Sequence, residues 1–166
     1  MTQREQTCCF SGHRPAKLPW GGNETDERCL ALKGKLAARL EALYAEGYRH
    51  FICGMALGCD MYFAEAVTAL REVHEDVTLE AAIPCGTQPD RWSRAQRERY
   101  NALLDACSKV TVLQIGYSPE CMMRRNEYMV DHSSMLLCCY NGRPGGTMRT
   151  ILYAERSGVG VEIMDI

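Results

Sequence analysis

Six short apolar runs recur along this chain, and each gap between them carries a helical pattern. The runs are Thr7 to Ser11, His50 to Gly54, Val77 to Ile83, Val110 to Ile115, Met135 to Tyr140 and Val159 to Ile163. Most are nearly continuous in apolar residues, which suits strands buried on both faces, as in a parallel sheet. Strict alternation of such strands with helices predicts an α/β fold with a mostly parallel central sheet of about six strands, right-handed crossovers and helices on both faces. No repeat, linker or low-complexity stretch divides residues 1–166, so they read as one domain.

The intervening segments carry helix signals. Thr25 and Asp26 can cap a long first helix whose apolar stripe is Cys29, Leu32, Leu36, Leu40 and Leu43, with Gly47 ending it. A second helix starts at Cys59 or Asp60 and puts Phe63, Val67 and Leu70 on one face. A third runs from about Asp90 to Cys107, a fourth follows Pro119, and a fifth opens near Gly146 and stops at Gly158.

Composition closes off several function classes. The chain is 46% hydrophobic with net charge −2, so disorder is excluded. Its longest apolar run, Met135 to Tyr140, is far short of the roughly 20 residues of a membrane-spanning helix. The polar N-terminus lacks a signal-peptide core, which predicts a cytoplasmic protein. Near-zero net charge argues against a nucleic-acid partner, and the only basic stripe, Arg91, Arg94, Arg97 and Arg99, is diluted by Asp90 and Glu98. Ten cysteines show no CxxC spacing, so no metal site is expected; they read as small hydrophobes in a reducing compartment.

Ligands of open α/β sheets bind beyond the carboxyl ends of the strands. The first five strand ends all carry glycine. Ser11, Gly12, His13 and Arg14 follow the first strand, with Arg14 placed to meet an anion. Gly54, Met55, Gly58 and Asp60 lie on the turn GMALGCD, which is neither a dinucleotide fingerprint nor a Walker loop. Asp60 suits a helix cap as well as a ligand contact. Gly145, Gly146 and Thr147 belong to PGGT, whose N–H groups and hydroxyl suit a phosphate, although Thr147 also suits a cap. On the fourth helix, Arg125 and Asn126 suit a phosphate or a base edge; the bland alternative is a solvated helix face. Trp20 and Trp92 are candidates either for lids stacking on a base or for packing on a loop.

These motifs together resemble the SLOG superfamily, the Rossmann-like domains shared by the DNA-processing protein DprA and the cytokinin-activating "lonely guy" enzymes. The chain looks most like its YpsA branch, over nearly its whole length. FSGHRP (Phe10 to Pro15) is similar to the family's opening strand and turn. ICGMALGCDMYFAEA (Ile52 to Ala66) is similar to the SGxAxGxD signature of DprA through Gly54, Ala56, Gly58 and Asp60. MMRRNEYM (Met122 to Met129) resembles the MxxRKxxM helix, with Asn126 replacing the lysine. PGGT (Pro144 to Thr147) resembles the start of the PGGxGTxxE loop, whose remaining glycine, threonine and glutamate places hold Met148, Arg149 and Leu152.

The resemblance implies a Rossmann-like domain that binds a nucleotide or nucleotide-derived small molecule, such as ADP-ribose, NAD or a nucleoside phosphate. With the loop glutamate missing, the enzymatic alternative, cleavage or transfer at an N-glycosidic bond, falls back on Glu127 as its carboxylate. Single-stranded DNA binding of the DprA kind is the second alternative. No bound cofactor is expected, and the lonely-guy likeness is compatible with a homodimer.

Overall fold

The computed structural model describes residues 2–166. The order is β1 (Thr7–Gly12), α1 (Glu27–Ala45), β2 (His50–Cys53), α2 (Cys59–Val73), β3 (Thr78–Ile83), α3 (Arg94–Ala106), β4 (Lys109–Val112), α4 (Cys121–Asp131), β5 (Met135–Tyr140), α5 (Gly146–Arg156) and β6 (Gly160–Asp165). All six strands are parallel, in the order β4-β3-β2-β1-β5-β6. This is the expected α/β architecture with its five crossover helices.

Alternation along each strand divides the core between the two sheet faces. Phe10, Phe51, Cys53, Leu79, Ala81, Leu137 and Cys139 pack beneath α1, α2 and α3. Cys9, Ile52, Ala82, Leu136 and Cys138 pack beneath α4 and α5. The stripe of α1 is buried throughout, at Cys29, Leu32, Leu36, Leu40 and Leu43. Burial of each leucine contributes about 1.5–3 kcal/mol, and Leu36→Ala would cost about 2–5 kcal/mol. Asp26 caps this helix by accepting the N–H of Arg28 at 2.8 Å.

Two elements depart from the sequence reading. α3 begins at Arg94 rather than near Asp90, because Ser93 and Gln96 form a reciprocal capping box that fixes its start. β4 is short and exposed rather than buried on both faces: the third crossover carries it to the sheet edge, where it pairs with β3 alone. Among the described residues, no helix is long and apolar enough to cross a membrane.

Candidate functional site

The chain steps outward from β1 to β4, then returns across the sheet to β5. β1 and β5 are neighbours whose following connections run in opposite directions, and a crevice opens at their carboxyl ends for that reason. It has a volume of about 240 Å³. The end of β1 and the turn after it supply Phe10, Ser11, Gly12, His13, Arg14, Ala16 and Lys17. The first turn of α5 supplies Gly146 and Thr147, α4 supplies Met122, Arg125, Asn126 and Met129, and the α2 end supplies Ala56 and Asp60.

The two strand ends are tied together beside this cleft. The backbone N–H of Asn141, just after β5, donates to Nε2 of His13 at 3.2 Å. Nδ2 of Asn141 donates to the carbonyl of Lys17 at 3.3 Å, and Nζ of Lys17 donates to the carbonyl of Pro144 at 2.9 Å.

The turn before α2 does a different job from the one its glycines suggest. Two of its N–H groups are spent inside the protein: that of Ala56 donates to Oδ2 of Asp60 at 3.0 Å, and that of Cys59 donates to the carbonyl of His13 at 3.1 Å. Gly58 has φ +92°, and a Cβ there would stand 2.7 Å from the His13 carbonyl, so glycine is needed for close backbone approach. A Cβ on Gly54 would meet Nη1 of Arg125 at 2.5 Å. Met55 is wholly buried at φ 58°, a conformation rare outside glycine. Gly54, Met55 and Gly58 therefore shape the cleft from behind and do not line it; Gly145 likewise precedes the helix as its N-cap.

Helical periodicity sorts the candidates on α4. Met122, Arg125, Asn126 and Met129 are spaced i, i+3, i+4, i+7 and form one face, which meets the cleft. Glu127 is on the other side, in a groove with Met123, Arg149, Leu152 and Tyr153. The carboxylate candidate for glycosidic chemistry is thus turned away from the cleft. Both tryptophans are also elsewhere. Trp20 is buried and its Nε1–H donates to the Tyr62 hydroxyl at 3.2 Å, while Trp92 packs edge-on against Tyr100. Half of the basic stripe is neutralised: Arg99 pairs with Glu24 and Glu65, and Arg94 with Glu98.

The cleft is rich in cationic and unspent donors. Among the described residues, no carboxylate oxygen lies within 4.0 Å of a nitrogen of Arg14, Lys17 or Arg125. Buried Arg125 donates to the carbonyls of Gly54 and Ala82 and to Oδ1 of Asn126, all neutral acceptors. Burial pushes its guanidinium below the usual range, opposed by nearby Asp60. Burial likewise raises the Asp60 carboxyl, opposed by Arg125 and by the Ala56 N–H. Ser11, His13 and Thr147 are only 8%, 3% and 6% exposed. The Ser11 and Thr147 hydroxyls and Nδ1 of His13 make no hydrogen bond to the described residues, yet none of the three is among the fully enclosed unpaired atoms. All three residues line the cleft, so these free valences are open to a group bound there.

Sequence reasoning missed two features. Lys17 lines the cleft by reaching back from a 3-10 turn at Pro15–Lys17, which no spacing rule marks. The second is a buried polar cluster: Glu80 accepts from Tyr128 at 2.6 Å and Thr111 at 2.8 Å, and its Oε1 is 2.8 Å from Nε2 of His50. An isolated Glu within an apolar strand was the available signal. Among the described residues, no group of three or more His, Cys, Asp or Glu is arranged to hold a metal ion.

Comparison with known proteins gives the family. The YspA SLOG family model matches residues 8–157. The SPbeta prophage-derived protein YoqJ of Bacillus subtilis is 30% identical over 147 residues, covering 81% of this chain and 86% of YoqJ. The UPF0398 protein YpsA of Bacillus subtilis is 27% identical over 146 residues, covering 86% of this chain and 80% of YpsA. DNA processing protein A from Helicobacter pylori, described for its single-stranded DNA binding mode, superposes with a TM-score of 0.62 at 14% identity over 96% of this chain. That of Streptococcus pneumoniae gives 0.63 at 16% identity over 97%. The chain spans 65% of the first of these DprA chains and 50% of the second, and at such identities the likeness is one of fold. A family match over nearly the whole length, together with a relative at 30% identity, places this chain in the YspA SLOG family, the YpsA branch of the SLOG superfamily.

Proposed function

We propose that the cleft between the ends of β1 and β5 binds an anionic, nucleotide-type small molecule, and that the protein acts as a binder or sensor of it. One observation carries this reading: Ser11, His13 and Thr147 are over nine-tenths buried, each holds a polar group with no protein partner, and all three face one cleft. Buried polar groups are rarely left unpaired, so a ligand or its water is the natural partner. Arg14, Lys17 and Arg125 add positive charge without carboxylates to neutralise it, and the first turn of α5 adds backbone N–H groups. A phosphate fits between them. Asp60 is the only carboxylate among the described residues that lines the cleft, and its free oxygen suits a ribose hydroxyl.

The volume of about 240 Å³ lies below the roughly 300–1,000 Å³ of pockets that enclose drug-sized ligands. It therefore suits a mononucleotide-sized portion, with anything larger projecting into solvent. The DprA likeness brings single-stranded DNA as the competing ligand, but two of the four arginines offered for it, Arg94 and Arg99, are paired with glutamates.

The test is thermal stability against AMP, ADP, ADP-ribose, NAD, cyclic nucleotides and a single-stranded oligonucleotide. A ligand at about 100 times its dissociation constant adds about 2.7 kcal/mol, a rise of several degrees. A shift with one nucleotide supports the reading. A flat panel overturns it, and a salt-sensitive shift with the oligonucleotide alone replaces it with nucleic-acid binding.

A further inference from the structure

The hydrogen bond at the β1–β5 seam fixes more than the seam. A backbone N–H can only donate, so Nε2 of His13, which receives the Asn141 amide, must be unprotonated. A neutral imidazole then carries its proton on Nδ1. The tautomer is thus set by the fold, and the remaining donor belongs to a residue that lines the cleft.

The surroundings keep the ring neutral. Burial pushes the imidazole below its ordinary range; the Asn141 side chain works against that shift, while Lys17 and Arg143 oppose a further positive charge. Arg14 is the next residue in the chain, and Tyr140 lies tilted against the ring with centroids 5.6 Å apart. Protonation would also turn Nε2 into a donor facing the donor of Asn141, which breaks the seam bond.

We propose that His13 is a specificity-determining residue: a neutral imidazole locked as its Nδ1–H tautomer, giving one hydrogen bond to an acceptor oxygen of the ligand while its Nε2 holds the ends of β1 and β5 together. The tautomer half stands on the protein alone. The donor half rests on the proposed ligand role of the cleft.

Two measurements test the halves separately. In the ligand-free protein at pH 7, nitrogen NMR of the His13 ring, assigned by its loss in His13→Gln, should show Nδ1 protonated and Nε2 bare. The opposite tautomer, or an imidazolium, overturns the proposal whatever the cleft binds. The donor half uses two amide variants with AMP as the probe. Gln places its amide oxygen where Nε2 stood, so His13→Gln keeps the acceptor and loses the Nδ1 donor. Asn places an amide N–H near the Nδ1 position, so His13→Asn keeps a donor and loses the seam acceptor.

The expected split is a loss of AMP affinity of about tenfold in His13→Gln with little change in Tm, a size ordinary for one hydrogen bond. His13→Asn should lose less AMP affinity than His13→Gln while its Tm falls further. Wild-type affinity in His13→Gln overturns the donor role. If neither AMP nor ADP-ribose binds the wild type, the nucleotide reading fails and the donor role with it, while the NMR result still decides the tautomer.

Discussion

The hydroxyl of Tyr128 donates to Oε2 of Glu80 at 2.6 Å, which ties α4 to β3 less than one turn beyond Arg125. Thr111 donates to the same oxygen, and His50 meets the other. Burial works against ionisation of this carboxyl, but the hydrogen bonds from His50, Tyr128 and Thr111 overcome it and hold the pKa down to about 2. A depressed carboxylate stabilises the fold above its unfolded pKa and loses that contribution as pH falls through the folded value. From 4.5 to about 2, the linkage is at most about 3 kcal/mol. Glu80→Gln should therefore be less stable than wild type at pH 7 in urea unfolding. The gap should narrow between about pH 5 and pH 2; a gap constant with pH would mean that Glu80 is not ionised in the fold.

Two glycines predict opposite signs on alanine substitution. Gly54 faces the Arg125 guanidinium, with Nη1 at 2.5 Å and Cζ at 2.7 Å from the position a Cβ would take. Arg125 is buried and held by three acceptors, so it gives way only with strain. Gly54→Ala should destabilise by about 1–3 kcal/mol, as overpacking does. Gly34 lies inside α1 with nothing within 4 Å of its would-be Cβ. Gly34→Ala should stabilise by about 0.5–1 kcal/mol, because alanine suits a helix interior and lowers the entropy of the unfolded chain. Thermal unfolding of the two variants side by side reads the contrast.

The thiols give a third test. All ten cysteines are unpaired, and nine are buried. Burial pushes Cys9 and Cys138 up to about 12, and Cys107 to about 11. Since the thiolate is the reactive form, these groups should resist alkylation in the folded protein at pH 8. Mass spectrometry after brief iodoacetamide treatment should find Cys107, the one half-buried thiol, modified before any other. All ten should react in denaturant. Rapid native labelling of Cys59 would contradict the packing of the α2 terminus.

Sheet, helices and family were legible because they rest on repeated signals. The stripe of α1 repeats five times, and the order of strands and motifs runs the length of the chain. The site was legible only in part, because glycine and charge carry two meanings each. Gly12 and Gly146 border the cleft, whereas Gly54 and Gly58 serve Arg125 and the His13 carbonyl, and no local pattern distinguishes these roles. Trp20 stood in a polar stretch, yet the loop folds it onto Tyr62, 42 positions away. The cluster of His50, Glu80, Thr111 and Tyr128 joins four elements across the sheet, so its members looked unremarkable one at a time.

Arg125 and Glu127 offer the sharpest test of the cleft, because they are two positions apart on one helix and about 200° apart around it. Arg125 lines the cleft beside Asn126, while Glu127 faces the groove against α5. Arg125→Lys keeps the charge but loses the fork that reaches Gly54, Ala82 and Asn126 together. Its affinity for a phosphate-bearing ligand should fall by at least about tenfold, the scale of one charge-assisted hydrogen bond. Glu127→Gln should leave that affinity within twofold of wild type and Tm within a degree or two, since the group touches neither cleft nor core. Isothermal titration of both variants with the nucleotide found by thermal shift separates the outcomes. If Glu127→Gln weakens binding as much as Arg125→Lys, the ligand lies across α4 on its outer face, and the assignment of the β1–β5 cleft is wrong.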